Sequence, residues 1–113
     1  MSCLFCRIVS GEIPATKIYE DDRLLAFADI NPQAPLHALV VPKQHIATLN
    51  DLNADHDALV GAMVRAAAKI AKDKGYDGPG YRTVFNCNAQ AGQTVFHIHL
   101  HVLGGRSMSW PPG

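Results

Sequence analysis

The chain has no excess of charge of either sign: ten Lys and Arg are balanced by ten Asp and Glu. Along its length the imbalance is slight, four basic against seven acidic side chains in residues 1–56 and six against three in residues 57–113. A nucleic-acid backbone or an anionic lipid surface is held by clustered positive charge, so neither nucleic acid nor membrane is expected as a partner. No apolar run approaches the ~20 residues of a membrane span. The opening MSCLFCRIVSGEIP has neither the basic start nor the apolar stretch of about 7–15 residues that a signal peptide needs. A soluble, cytoplasmic protein is the expectation. Cysteine is scarce and odd in number, with only Cys3, Cys6 and Cys87; outside a secretory context this argues against a disulfide framework and for reduced thiols or a metal. Internal repeats, low-complexity segments and linkers are absent too.

What remains is a chain of 113 residues, enough for one domain over residues 1–113 and too short for a multidomain enzyme or a two-lobed nucleotide-binding fold. Apolar residues make up 48% and charged residues 18%, a globular balance rather than a disordered one. Leu24 to Asp29 reads as a strand, ended by Asn31-Pro32-Gln33-Ala34-Pro35, and Ala38 to Val41 as a second, stopped by Pro42. Between Asp55 and Lys74 the spacing of Leu59, Met63, Ala66, Ala67, Ile70 and Ala71 predicts a helix, with lysines in its last turn and Gly75 as its stop. Tyr81 to Asn86 reads as strand, Asn88 to Thr94 as a polar loop, and Val95 to Leu103 as a long strand of strict alternation. Strands in hairpins around one main helix point to α+β with an antiparallel sheet.

The informative segment is Phe96 to Leu103. Period-2 geometry puts His97, His99 and His101 on one sheet face and Ile98, Leu100 and Val102 on the other. A single strand histidine is usually a bystander; three in strict alternation, among six in the chain, are not readily explained as packing, because imidazole is costly on a buried face without partners. Nor can all three chelate one metal, since the outer pair is about 14 Å apart at the backbone while ligating nitrogens sit near 2 Å from an ion. The tasks must be divided, with one imidazole as nucleophile and others orienting it, binding anion or passing a proton. Cys3-x-x-Cys6 has three readings: a redox dithiol, half of a zinc site, or two incidental thiols. The redox reading is the weakest, because such pairs usually follow a strand before opening a helix, whereas this pair starts two residues from the N-terminus.

His97 through Leu103 resembles the mark of the histidine triad (HIT) superfamily, His-φ-His-φ-His-φ-φ with φ apolar. The resemblance extends to the histidine triad nucleotide-binding branch through Phe27-Ala28-Asp29-Ile30, Asn31-Pro32-Gln33-Ala34-Pro35, Lys43-Gln44-His45-Ile46, Asn86, Gly92-Gln93-Thr94-Val95 and the ending Gly104-Gly105-Arg106-x-Met108-x-Trp110-Pro111-Pro112-Gly113. It covers nearly the whole chain. It implies an antiparallel sheet of about five strands with one main helix and a short N-terminal helix. It also implies a purine nucleotide-binding homodimer that hydrolyses AMP- or GMP-type nucleoside 5′-phosphoramidates. Two other classes stay open: a nucleotide-binding regulatory module without catalysis, and a dinucleoside polyphosphate hydrolase or nucleotidyl transferase of the wider superfamily.

By the same resemblance His99 is the nucleophile that forms a nucleotidyl-histidine, His101 contacts phosphate, and His97 works with His45 to hold geometry and charge. Asn86 and Gly92, Gln93 and Thr94 fall on the phosphate side, Asp29 and Ile30 on the ribose and base. The blander readings are an ordinary hairpin turn for the loop and a turn cap for Asp29. Trp110 is a candidate wall for the leaving group; His37 and His56 receive no role. Some relatives with the cysteine pair hold structural zinc, which here implies Cys3, Cys6, His45 and His97 as ligands, with no cofactor needed for catalysis. Relatives without the cysteines leave a metal-free alternative, in which His45 and His97 hydrogen-bond directly.

Overall fold

The chain is described by a computed structural model over residues 3–113. A short helix, α1 (Leu4–Val9), precedes strands β1 (Lys17–Glu20), β2 (Leu24–Ala28) and β3 (Leu36–Pro42). The main helix, α2 (Asp57–Asp73), then leads to β4 (Tyr81–Val84) and β5 (Leu100–Gly104). The strands form one sheet in the order β1-β2-β3-β5-β4, and every neighbouring pair is antiparallel. The expected α+β fold, with one main helix and a short N-terminal one, is therefore met. Among the described residues no helix is long and apolar enough to cross a membrane.

Alternation along the strands divides the apolar residues between two faces. Leu24, Ala26, Ala38, Val40, Leu100 and Val102 pack with Leu59, Met63, Ala66, Ala67 and Ile70 of α2. Leu25, Phe27, Leu39 and Val41 face the other way and pack with Phe5 and Ile8 of α1. Phe27 sits in this second cluster, with its ring edge-on to Phe5. α2 ends where its spacing predicts: Lys74 caps it and Gly75 takes a φ of 84°, a left-handed turn that favours glycine.

Two strands are shorter than their sequences imply. The regular ladder of the last strand begins at Leu100, so Val95 to His99 lie outside it. The cause is the end of β3. Val40 pairs with Leu100, and two residues further on the pairing would meet Pro42, which has no N–H to give. The chain crosses instead: the N–H of Ile98 donates to the Ile46 carbonyl at 2.7 Å. The pattern of faces survives this departure, because Ile98 still joins the α2 core while His97 and His99 pack edge-on to Phe5 of α1. β4 likewise stops at Val84, leaving Asn86 beyond it, and the loop after it holds one short 3-10 turn, Ala89–Ala91.

Candidate functional site

The histidine face carries two clusters with His99 between them. At the first, Cys3 caps the N-terminus of α1 and its sulfur accepts the N–H of Cys6 at 3.4 Å, so one helical turn brings both thiols to one side. His45, just beyond β3, and His97 complete the group. Cys3 Sγ lies 3.4 Å from His97 Nδ1, Cys6 Sγ lies 3.4 Å from His45 Nδ1 and 3.6 Å from His97 Nδ1, and the two Nδ1 atoms are 3.2 Å apart. For bonds of about 2.3 Å to sulfur and about 2.05 Å to nitrogen, a tetrahedron has edges of roughly 3.5 Å between S and N and roughly 3.3 Å between nitrogens. The donor set fits a metal of that kind. His97 is fully buried, and its Nε2 lies 2.7 Å from the Pro42 carbonyl. That carbonyl accepts the ring proton and leaves the Nδ1 lone pair facing the cluster, the outer partner a ligating histidine needs. Burial holds His97 below the usual imidazole range and pushes the Cys6 thiol up, the latter with help from Cys3.

His99 is differently held. Its Nδ1 donates to the His97 carbonyl at 2.8 Å, so in the neutral ring Nε2 carries a lone pair. Its ring lies against Phe5, with centroids 5.0 Å apart, and against His101, also at 5.0 Å. This is the arrangement a nucleophilic imidazole requires: one nitrogen fixed by a backbone acceptor, the other free.

The second cluster is Asp29, His37 and His101. His37 Nε2 lies 2.8 Å from His101 Nδ1 and 3.4 Å from Asp29 Oδ2. Burial first, then the neighbouring His99 and His37, bring His101 down to about 4, and burial lowers His37 as well. Asp29 follows β2 directly, with its N–H donating to the His37 carbonyl and its Oδ1 accepting from the Asn31 N–H. It does shape a turn, as the blander reading has it, yet Oδ2 remains on the histidine face. Ile30 beside it is wholly exposed, at 101% of its reference area.

The loop before the histidines divides its residues. Gly92 has a φ of 88°, a conformation glycine takes without strain. Gln93 departs from its expected phosphate-facing role. Its side chain accepts from the Asn88 N–H and donates to the Ala47 and Val95 carbonyls, and its own N–H donates to the Asn88 carbonyl. Gln93 braces the loop from inside, because a buried amide must satisfy its polar atoms. Thr94 is exposed and Asn86 half-buried. A cavity of about 390 Å³ opens here, lined by His45, Thr94, Val95 and Phe96 among others. His56 is half-buried and accepts the Asn53 N–H as part of the turn before α2. Trp110 is 81% exposed, on a tail tied by Arg82, which donates to the Ser109 carbonyl.

Sequence reasoning missed His37, Phe5 and the Pro42 carbonyl. Only His37 left a signal: it alternates with Leu39 and Val41 and so shares their face.

Fold and site together define an α+β protein whose alternating histidines line one face of an antiparallel sheet. A family described as "Scavenger mRNA decapping enzyme C-term binding" matches residues 2–110. The purine nucleoside phosphoramidase of Escherichia coli (strain K12) is 47% identical over 105 residues, covering 93% of this chain and 88% of that one. The crystal structure of a HIT family hydrolase from Legionella pneumophila Philadelphia 1 superposes with a TM-score of 0.98 at 56% identity, covering 99% of this chain and 100% of that one. A Zn-bound histidine triad family protein from Mycobacterium smegmatis has a TM-score of 0.80 at 42% identity, covering 94% of this chain and 76% of that one. The chain belongs to the histidine triad family.

Proposed function

We propose that the chain is a hydrolase of purine nucleoside 5′-phosphoramidates that works through a nucleotidyl-histidine. The single observation that carries this reading is the fixed His99 ring, with Nδ1 bound to the His97 carbonyl at 2.8 Å and Nε2 free. The Nε2 lone pair attacks the α-phosphorus, the phosphorus–nitrogen bond breaks, and the amine departs with a proton taken from solvent, which the water of the second step returns. Water then attacks the same phosphorus, releasing the nucleoside monophosphate and restoring the imidazole. Splitting one displacement into two lowers each barrier.

His101 donates a hydrogen bond to a phosphoryl oxygen, and Asn86, Gly92 and Thr94 complete the phosphate side. The Asp29 carboxylate accepts from the ribose hydroxyls, and the exposed Ile30 supplies an apolar contact for the base. Cys3, Cys6, His45 and His97 hold zinc; with all four positions taken by protein, such an ion braces α1 against the sheet and activates no water. Two copies of the chain form a homodimer, a reading supported by the unpaired outer edge of β4 and the exposed Tyr81 beside it, since a free strand edge invites pairing.

Steady-state rates on adenosine and guanosine 5′-phosphoramidates, set against a dinucleoside polyphosphate, test the reading. It expects kcat/KM on the phosphoramidates to exceed that on the dinucleotide by at least about 100-fold. Binding without turnover of either phosphoramidate contradicts it.

A further inference from the structure

His37 lies on β3, where alternation turns it to the face that carries His99 and His101. In the ladder His37 is opposite Leu103 and Leu39 is opposite His101, so the two histidines are diagonal neighbours on adjacent strands, within reach of one another. Their rings are joined, His37 Nε2 to His101 Nδ1 at 2.8 Å.

The far side of the His37 ring decides which atom carries the proton. The backbone N–H of Gln33 donates to His37 Nδ1 at 3.0 Å. An N–H can only donate, so Nδ1 carries the lone pair and Nε2 the hydrogen. Asp29 Oδ2, 3.4 Å from the same Nε2, favours the same tautomer, because a carboxylate only accepts. His37 therefore donates to His101 Nδ1, and a neutral His101 must carry its own proton on Nε2. Asp29, His37 and His101 also lie close enough to one another for a metal. Yet two nitrogens on one ion stand about 3.3 Å apart, whereas 2.8 Å is a hydrogen bond.

We infer that His37 is a positioning residue, which fixes His101 as the Nε2–H tautomer so that it meets the phosphoryl oxygen as a donor. This rests on the role given to His101 above. The other tautomer would turn a lone pair toward an anionic oxygen and convert an attraction into a repulsion. The design is that of a triad, in which a partner behind the imidazole selects its tautomer.

The test combines long-range ¹H–¹⁵N spectra of the histidine-labelled full chain with steady-state kinetics on an adenosine 5′-phosphoramidate. In the wild-type protein both His37 and His101 are expected as neutral Nε2–H tautomers. His37→Asn, whose amide is too short to reach the Nε2 position, is expected to leave His101 as a mixture and to lower kcat roughly 10- to 100-fold, with KM within about threefold. His37→Gln, whose amide N–H reaches that position, should bring kcat back to within about threefold of wild type. Three results overturn the inference: His101 as the Nδ1–H tautomer in the wild-type protein; an unchanged His101 tautomer and kcat in His37→Asn; or equal kcat losses in the Asn and Gln variants, which a merely structural residue would give. The wild-type spectrum decides the tautomer even where a variant fails to fold. A wild-type protein inactive on the phosphoramidate but holding the Nε2–H tautomer sinks the functional reading and leaves the positioning geometry intact.

Discussion

Two groups of side chains on the histidine face look alike at first: Cys3, Cys6, His45 and His97 at one end, Asp29, His37 and His101 at the other, each gathered closely enough for a metal. They differ in spacing and in what lies behind the rings. In the first, three sulfur–nitrogen pairs and the nitrogen pair stand 3.2 to 3.6 Å apart and the outer nitrogen of His97 is capped by a carbonyl, so the lone pairs converge. In the second, an N–H from Gln33 occupies the outer nitrogen of His37, so its proton is sent inward to His101 at 2.8 Å. A backbone acceptor behind the ring leaves a lone pair facing inward; a backbone donor behind it sends a proton inward instead. His99, with the carbonyl of His97 on one nitrogen, is left for chemistry.

The largest expected effect comes from the residue between the clusters. His99→Ala should lower kcat on an adenosine phosphoramidate by at least about 10³-fold while calorimetry shows AMP binding within a fewfold of wild type. Turnover near the wild-type level breaks the division of labour at its centre.

The hydrogen-bonded cluster should announce itself in acid. His101, brought from its ordinary 6.5 to about 4 in the folded chain, binds a proton later than the unfolded chain does. Stability is therefore full above about pH 6.5 and falls as pH drops toward 4. Solvent screening of the partly exposed ring tempers the size of the loss, and lowered His37 adds in the same direction. Glu20 and Asp21, held below their usual range by Lys43 and Tyr19 respectively, act at lower pH still. Urea midpoints at pH 7 and pH 4.5 measure the effect, and the difference should shrink in His101→Asn. A flat profile between these values would refute the burial argument.

The metal cluster should respond to chelation, which separates it from the histidines at the other end of the face. Protein purified without an affinity-tag metal is expected to hold one zinc per chain. Removing the ion, or replacing Cys3 and Cys6 with Ser, should lower Tm by at least about 5 °C and change kcat of the folded protein by less than about threefold. Well below one zinc per chain, with no rise in Tm on adding zinc, would return the cluster to a direct His45–His97 hydrogen bond. The smallest effect belongs to the tail. Ending the chain after Met108 should shift relative rates across several amine leaving groups a fewfold, with Tm nearly unchanged; identical relative rates remove Trp110 from the site.

Much of this arrangement was legible in the residue pattern. Alternation alone placed His97, His99 and His101 opposite Ile98, Leu100 and Val102, and helical spacing marked α2 to within two residues of its observed bounds. What the pattern could not carry was tertiary. Pro42 ends the ladder from a neighbouring strand, so a segment that reads as strand from Val95 begins its pairing only at Leu100. Gln93 reads as a polar loop residue but turns inward, because the Ala47 carbonyl, distant in sequence, waits for its amide. The role of His37 depends on register with β5 and on one N–H of Gln33, neither of which composition or period can reveal.

On the proposed mechanism His99 alone among the three takes the nucleotidyl group, and rapid-quench intact mass reads that group on the chain. Wild-type protein mixed briefly with an adenosine 5′-phosphoramidate should gain the mass of one adenylyl group, mapped by fragmentation to His99 and lost again on further hydrolysis, with no gain in His99→Ala. An adduct on His97 or His101, or efficient turnover with no transient adduct at any quench time, would contradict the account.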